Sequence, residues 1–240
     1  MLGKVRIVLS HTSHPGNIGA TARAMKTMGL HRLVLVNPRR FPDPTADAMS
    51  SNALDILGGA RVCDSLAEAL RGTVLAVAAV GHGYEMSHEM VACREAAARI
   101  ASVAGSGDVA LVFGTEASGL TADEVRLCNL AAHIPGNPGY TSLNLAAAVQ
   151  VFAYEVRLAL LSPALPAGKA ISLATHEEIE RLHRHLEEVL EVIGFFDPAS
   201  AKRLLPRLRR MIARARLEPE EVRILRGMLK SAVAACRTAG

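Results

Sequence analysis

Val109-Ala110-Leu111-Val112-Phe113-Gly114-Thr115-Glu116-Ala117-Ser118-Gly119-Leu120-Thr121-Ala122-Asp123-Glu124 is the stretch that decides the fold. Five apolar residues without polar alternation read as a strand buried on both faces, as in a parallel sheet. A loop bounded by two glycines follows, and Thr121 with Glu124 has the capping-box spacing that opens a helix. The same succession recurs on both sides of this stretch. Val5-Ser10, Arg32-Asn37, a short Ala60-Cys63, Val74-Val80 and Ala131-Ile134 read as further strands, six in all, with helical patterns between most of them. Ser65 to Glu68 repeats the capping-box spacing after the third strand. An α/β domain with a parallel sheet is the expectation.

Beyond the last strand the pattern changes. Leu143 to Leu161 is Ala-rich and free of Gly and Pro, which predicts a helix closing the first domain. Two prolines and a glycine in Ser162-Pro163-Ala164-Leu165-Pro166-Ala167-Gly168 mark a linker. Thr175 and Glu178 then cap a helix with apolar residues at Ile179, Leu182, Leu186, Val189 and Ile193. Asp197-Pro198 suits another helix start, Pro206 is expected to break or restart that helix, and Pro219 suits the first turn of the last one. The expected division is a catalytic domain over 1–161, a linker over 162–173 and a small all-helical domain over 174–240.

With 240 residues, half of them hydrophobic, the chain can bury a sizeable core. No apolar run reaches the roughly 18 residues that span a bilayer, and Met1 to Arg6 lead straight into a strand, so a cytoplasmic protein is expected. Four scattered cysteines suggest neither a zinc site nor disulfides, and the histidine pairs His11/His14 and His183/His185 do not suggest a metal site. Residues 1–161 hold 13 Lys+Arg against 13 Asp+Glu, and residues 162–240 hold 14 against 10, so the formal charge of +4 falls in the last third. A neutral front part with a basic appendage fits an enzyme that meets a polyanion with its tail. No Trp, three Tyr and five Phe leave few stacking platforms, which argues against an RRM or OB-fold reader.

Three segments carry candidate chemistry, each a strand end passing through a loop into a helix. Asn17-Ile18-Gly19-Ala20-Thr21-Ala22-Arg23 follows the first strand; Asn17 suits the helix cap, Gly19 a close backbone approach, and Arg23 projects from the helix. Gly114 to Leu120 follows the strand quoted above, with Glu116 placed to order its loop. Ile134-Pro135-Gly136-Asn137-Pro138-Gly139-Tyr140-Thr141-Ser142-Leu143-Asn144 closes the set, with Ser142 as a cap and Asn144 in the first helical turn. Capping and turn formation account for each segment singly. They do not account for three polar loops converging at strand ends, where open α/β sheets bind ligands. The dinucleotide fingerprint G-x-G-x-x-G is absent after the first strand, and no Walker A motif occurs, which disfavours a plain nucleotide-binding enzyme.

Taken together, N-x-G-x-x-x-R, F-G-x-E-x-x-G-L and S-L-N-x-x-x-A, in this order and spacing, resemble the three motifs of SPOUT-class RNA 2'-O-ribose methyltransferases. The resemblance extends over essentially the whole chain. It is closest to the branch that methylates a cytidine or uridine ribose at nucleotide 32 of the tRNA anticodon loop. It implies a C-terminal trefoil knot in the sheet, a homodimer, and S-adenosylmethionine as donor. It also implies donor binding by Ala79, Val80, Gly81, Gly114, Ile134, Thr141, Ser142 and Leu143, mostly through backbone. Arg23, Ser142 and Asn144 match catalytic positions, Arg23 approaching the site of the other subunit, and Asn17 and Glu116 match substrate-side or loop-ordering positions. Two departures stand out. Ala79-Val80-Gly81-His82-Gly83 replaces a common Thr-Ser-Ala-Arg, and Thr115 replaces a common arginine, removing positive charge from the expected RNA-facing rim. An rRNA methyltransferase, or a non-catalytic RNA-binding protein of the same fold, is the competing reading.

In the tail, Lys202, Arg203, Arg207, Arg209, Arg210, Arg214 and Arg216 fall in a window without an acid. Arg203, Arg207, Arg210 and Arg214 have helical spacing and form one stripe, expected to grip RNA phosphates, while Leu204, Leu208 and Met211 face elsewhere.

Overall fold

The computed structural model describes residues 1–81, 89–161, 172–196 and 203–238. Much of the linker (162–171), His82, Gly83, Asp197, Pro198 and Lys202 lie outside the described residues.

The first part alternates strands and helices: β1 Val5–Ser10, α1 Pro15–Thr27, β2 Arg32–Val36, α2 Pro44–Ser50, α3 Leu54–Gly58, β3 Arg61–Cys63, α4 Leu66–Ala69, β4 Thr73–Ala79, β5 Met90–Ala92, α5 Cys93–Val103, β6 Asp108–Phe113, α6 Ala122–Arg126, β7 Leu130–His133 and α7 Leu145–Leu161. The strands make one sheet of order β3-β2-β1-β6-β4-β7-β5, and every pairing is parallel. All six expected strands form. The seventh, β5, is not legible in the sequence because its three residues form a short edge strand that, among the described residues, pairs only with β7.

Continuous apolar strands need cover on both faces, and alternation of side chains sends the two sets to different cores. Ile7, Leu9, Leu111 and Phe113 face α1, α5 and α7 through Ile18, Met25, Ile100 and Phe152. Val8, Val34, Ala110 and Val112 face α4 and α6 through Leu66, Leu70, Val125 and Cys128. The Phe113 and Phe152 rings meet edge to face, 5.5 Å between centroids, and fix α7 against the centre of the sheet.

The last part is helical: α8 His176–Val192, α9 Leu204–Ala215 and α10 Pro219–Thr238. Thr175 closes the expected capping box with Glu178. Leu182, Ile212 and Val222 make a small core, joined by Ile179, Leu186, Leu225 and Leu229. Pro206 does not break α9. It sits in the first turn, where its missing N–H leaves no hydrogen bond unmade. Ile212, four residues on from Leu208, is the buried residue of that helix, and Met211 is exposed.

Candidate active site

Because β1, β6, β4 and β7 lie side by side and run in parallel, their carboxyl ends open on one edge of the sheet. The loops leaving them hold residues 11–14, 114–121, 80–81 and 134–144. All three sequence motifs therefore meet at one crevice.

The first motif enters α1 through a cap that differs from the expectation. His14, not Asn17, is the N-cap: its Nδ1 accepts from Gly16 N at 3.1 Å, and Pro15 occupies the first helical position. Asn17 is thereby inside the first turn with its amide free for other partners. Gly19 does permit a close backbone approach, and the element that approaches is α2. A Cβ there would stand 2.0 Å from the carbonyl oxygen of Ala46, so the residue serves the close crossing of α1 and α2.

The second motif closes on itself. Thr115 and Gly119 exchange backbone hydrogen bonds of 3.0 Å, Gly119 adopts φ +70°, and a Cβ on Gly114 would collide with the Gly119 carbonyl. This tight loop aims Glu116 at the β1 exit. Its carboxylate accepts from Ser13 N (3.0 Å), Ser13 Oγ (2.8 Å), His14 N (3.0 Å) and Asn17 Nδ2 (2.9 Å). Partial burial works to raise the pKa of Glu116, but the bonds from Asn17 and Ser13 outweigh it and hold the group at about 2.

The third motif joins through Asn144, which also takes the capping role expected of Ser142. Its Oδ1 accepts from Ala146 N (2.9 Å) and Ala147 N (3.3 Å) at the start of α7, and its Nδ2 donates to Asn17 Oδ1 at 3.0 Å. The polarity of this chain is forced. A carboxylate only accepts, so Asn17 must turn its NH2 to Glu116 and its oxygen to Asn144; helix-start amides only donate, so Asn144 must turn its oxygen to α7. One directional chain, Asn144 to Asn17 to Glu116, ties the three motifs together.

A second carboxylate braces the same edge. Glu124 accepts from Thr121 within the capping box and from Ser10 Oγ at the end of β1, with His11 Nδ1 3.6 Å away. The capping box was legible in sequence; its link to Ser10 was not.

Thr141, Ser142, Leu143 and Asn144 are all exposed, and the backbone amides of Thr141, Ser142 and Leu143 have no hydrogen-bond partner among the described residues. Val80 N is bound to Ala132 O at 2.9 Å, which fixes the exit of β4 beside the exit of β7, and Gly81 is exposed. Ile134 and Gly114 flank the same gap as the next residues beyond β7 and β6. Arg23 stands apart. Six residues on from Asn17, it lies about 9 Å further along α1 and roughly 120° round it, exposed and without a bonding partner among the described residues.

This arrangement matches a known family. Residues 4–154 fit the model of the SpoU rRNA methylase family. The chain belongs to the SpoU methylase family. Residues 177–239 fit the C-terminal domain of the tRNA methyltransferase TrmJ, which places the chain in that branch of the SpoU methylases. A tRNA (cytidine/uridine-2'-O-)-methyltransferase TrmJ from Yersinia enterocolitica is 46% identical over 236 residues, covering 96% of this chain and 92% of its own. A tRNA (cytidine/uridine/adenosine-2'-O-)-methyltransferase TrmJ from Pseudomonas aeruginosa is 44% identical, covering 95% and 93%. Among solved structures, TrmJ from Z. mobilis superposes with a TM-score of 0.81 at 33% identity, covering 94% of this chain and 97% of that one.

S-adenosylmethionine is the methyl donor of SpoU methylases, and a crevice edged by unpaired amides suits it. Such N–H groups donate to no acceptor among the described residues and present donors to the acceptor atoms of a purine and a carboxylate.

Proposed function

We propose that this SpoU methylase transfers a methyl group from S-adenosylmethionine to the 2'-hydroxyl of a cytidine or uridine ribose in tRNA, at nucleotide 32 of the anticodon loop, as a cytoplasmic homodimer. The observation that carries the reading is the chain Asn144–Asn17–Glu116, which joins the three motifs at one crevice beside free amides. In this reading the catalytic domain spans 1–161, with the knot in its C-terminal segment, the linker 162–173, and the RNA-binding domain 174–240.

Backbone groups of Ala79, Val80, Gly81, Gly114, Ile134, Thr141, Ser142 and Leu143 hold the donor. Bound there, its sulfonium supplies a methyl group activated for in-line attack. Ser142 and Asn144 orient the ribose hydroxyl, which is mainly a matter of positioning. A guanidinium has no acceptor for a proton, so Arg23 binds the adjacent phosphate and stabilises developing alkoxide charge. Arg23, exposed and displaced along and around α1 from Asn17, serves the crevice of the partner. The outer face of α7, with exposed Tyr154, Leu158 and Leu161, supplies an apolar surface for that dimer.

Transfer of labelled methyl to unmodified tRNA, to rRNA and to neither are the three outcomes that divide the readings. Only the first, lost in Arg23→Ala, supports this one. Mixing inactive Arg23→Ala with inactive Asn144→Ala protein adds a test of the shared site: random dimer exchange rebuilds one intact site per mixed dimer, restoring about a quarter of wild-type activity. No recovery would place Arg23 in its own subunit's site.

A further inference from the structure

The helical domain docks on the opposite end of the sheet from the active site. Glu177, in the first turn of α8, accepts from Gly72 N with both oxygens (2.8 and 3.1 Å) just before β4. Leu173 is buried in the sheet's core, Ala174 in the tail's core, and Ala174 N donates to Leu217 O at 2.8 Å.

This seam leaves a cleft open to solvent. Leu75, Leu130 and Ile212 give it apolar walls; Glu89, Arg99, Arg214 and Arg216 give it charge. Arg99 is committed, bridging Glu89 at 2.7 Å and Glu95 at 2.6 Å. Arg214 and Arg216 are exposed and form no ion pair among the described residues. The Arg99 hydrogen bond lowers the pKa of Glu89, partial burial opposes it, and the charges of Arg99, Arg214 and Arg210 reinforce it. With Arg99 held between Glu89 and Glu95, Arg214 and Arg216 stay as unpaired positive charge lining a concave site, where fields are focused.

Arg216 adds an independent sign. It ends α9 in the left-handed region, φ 52° and ψ 51°, a position that glycine or asparagine fills with less strain. A strained backbone holding an unpaired cation at the mouth of a cleft points to use of the side chain.

We propose that this cleft is a subsite for a backbone phosphate of the RNA substrate, bound by Arg214 and Arg216 beside the exposed carboxylate of Glu89, which Arg99 holds. The inference rests on the RNA-modifying function above and extends the α9 stripe, which shares Arg210 and Arg214, to a defined site between the domains. The cleft lies at the amino ends of β4 and β7, and the crevice at their carboxyl ends, about 20 Å away along a seven-residue strand. The phosphate is therefore remote from the methylated nucleotide, and the subsite acts on binding rather than on turnover.

Arg216→Gly removes the guanidinium and relieves the backbone, so folding is preserved or improved. With unmodified bulk tRNA as probe, its log affinity against log salt should have a slope shallower by about 0.7–0.9, the loss of one phosphate contact. KM for tRNA should rise severalfold at unchanged kcat. Glu89→Gln should move the other way, binding tRNA more tightly at 50 mM salt. An Arg216→Gly protein with the wild-type slope and KM, or with lowered kcat at unchanged KM, overturns the subsite. Wild-type protein that binds no tRNA would instead overturn the function on which it rests.

Discussion

Glu116→Gln tests whether the carboxylate is what aligns the three motifs. Oε1 accepts from His14 N and Asn17 Nδ2, and Oε2 from Ser13 N and Ser13 Oγ. A glutamine must place its NH2 on one side, where it faces at least one backbone N–H, so one donor is left without an acceptor whichever way the amide turns. Bonds to a charged acceptor are worth about 1.5–3 kcal/mol each, and the lower end applies at this solvent-exposed loop. Loss of the charge and of one or two bonds should therefore loosen the β1–α1 loop by about 2–3 kcal/mol. If part of that reaches Asn17 and Asn144, kcat falls by roughly 10–100-fold, the equivalent of about 1.4–2.8 kcal/mol in the barrier. Donor affinity, measured by calorimetry, should change little, because the amides of Thr141 to Leu143 are not in the chain. Steady-state methyl transfer to unmodified tRNA gives kcat. A Glu116→Gln enzyme within twofold of wild type would refute the reasoning. With a pKa of about 2, Glu116 stays ionised throughout the neutral and mildly acidic range. Its contribution, present above the unfolded value near 4.3, is lost only as pH falls toward 2, so no activity loss between pH 5 and 8 should trace to it.

Three further outcomes follow from the same geometry. Asn144→Ser keeps a capping oxygen but loses the bond to Asn17, so it should lose turnover at nearly wild-type stability, whereas Asn144→Ala should also lose about 1 kcal/mol in denaturant unfolding; equal turnover in Asn144→Ser and wild type would remove Asn144 from the site. Gly19→Ala forces a Cβ against the Ala46 carbonyl and should cost about 2–3 kcal/mol, a fall in Tm of roughly 5–10 °C by calorimetry; an unchanged Tm would show that α1 and α2 separate freely. His183 is held neutral with a pKa of about 4, chiefly by burial, with the Arg209 charge adding to the shift and Glu180 opposing it. An unfolded histidine titrates near 6.5, so between pH 6.5 and 4 the unfolded chain binds the extra proton and stability falls with pH, by about 2–3 kcal/mol at pH 4.5. His183→Gln should flatten that slope in urea unfolding, and an undiminished slope would assign it to other groups.

The sheet was legible because buried parallel strands are unbroken apolar runs, and β5 escaped because three residues cannot establish a run. The caps were misplaced by two or three positions where candidates crowd together. His14 and Asn17 both suit an N-cap, and Pro15, which favours the first helical position, was the signal that decides for His14. Ser142 and Asn144 pose the same choice, settled only by the Asn17 amide, which lies 127 residues away in sequence and lets Asn144 cap and bridge at once. The motifs could be named from spacing, but their connection through Glu116 depends on β1 and β6 being neighbours, which no local pattern states. In the tail, spacing placed Arg203, Arg207, Arg210 and Arg214 on one exposed face. It could not show that Arg209, outside that stripe, pairs with Glu180 at 2.7 and 3.0 Å, or that Arg214 and Arg216 edge a cleft against the sheet.

The most direct test of the central claim is the position of the methyl group after reaction with S-adenosylmethionine and unmodified tRNA, read by nuclease digestion and mass spectrometry. The account predicts one nuclease-resistant 2'-O-methylated pyrimidine at nucleotide 32 of the anticodon loop, absent with Arg23→Ala. Methyl on a base, methyl on rRNA alone, or transfer that survives Arg23→Ala would contradict it.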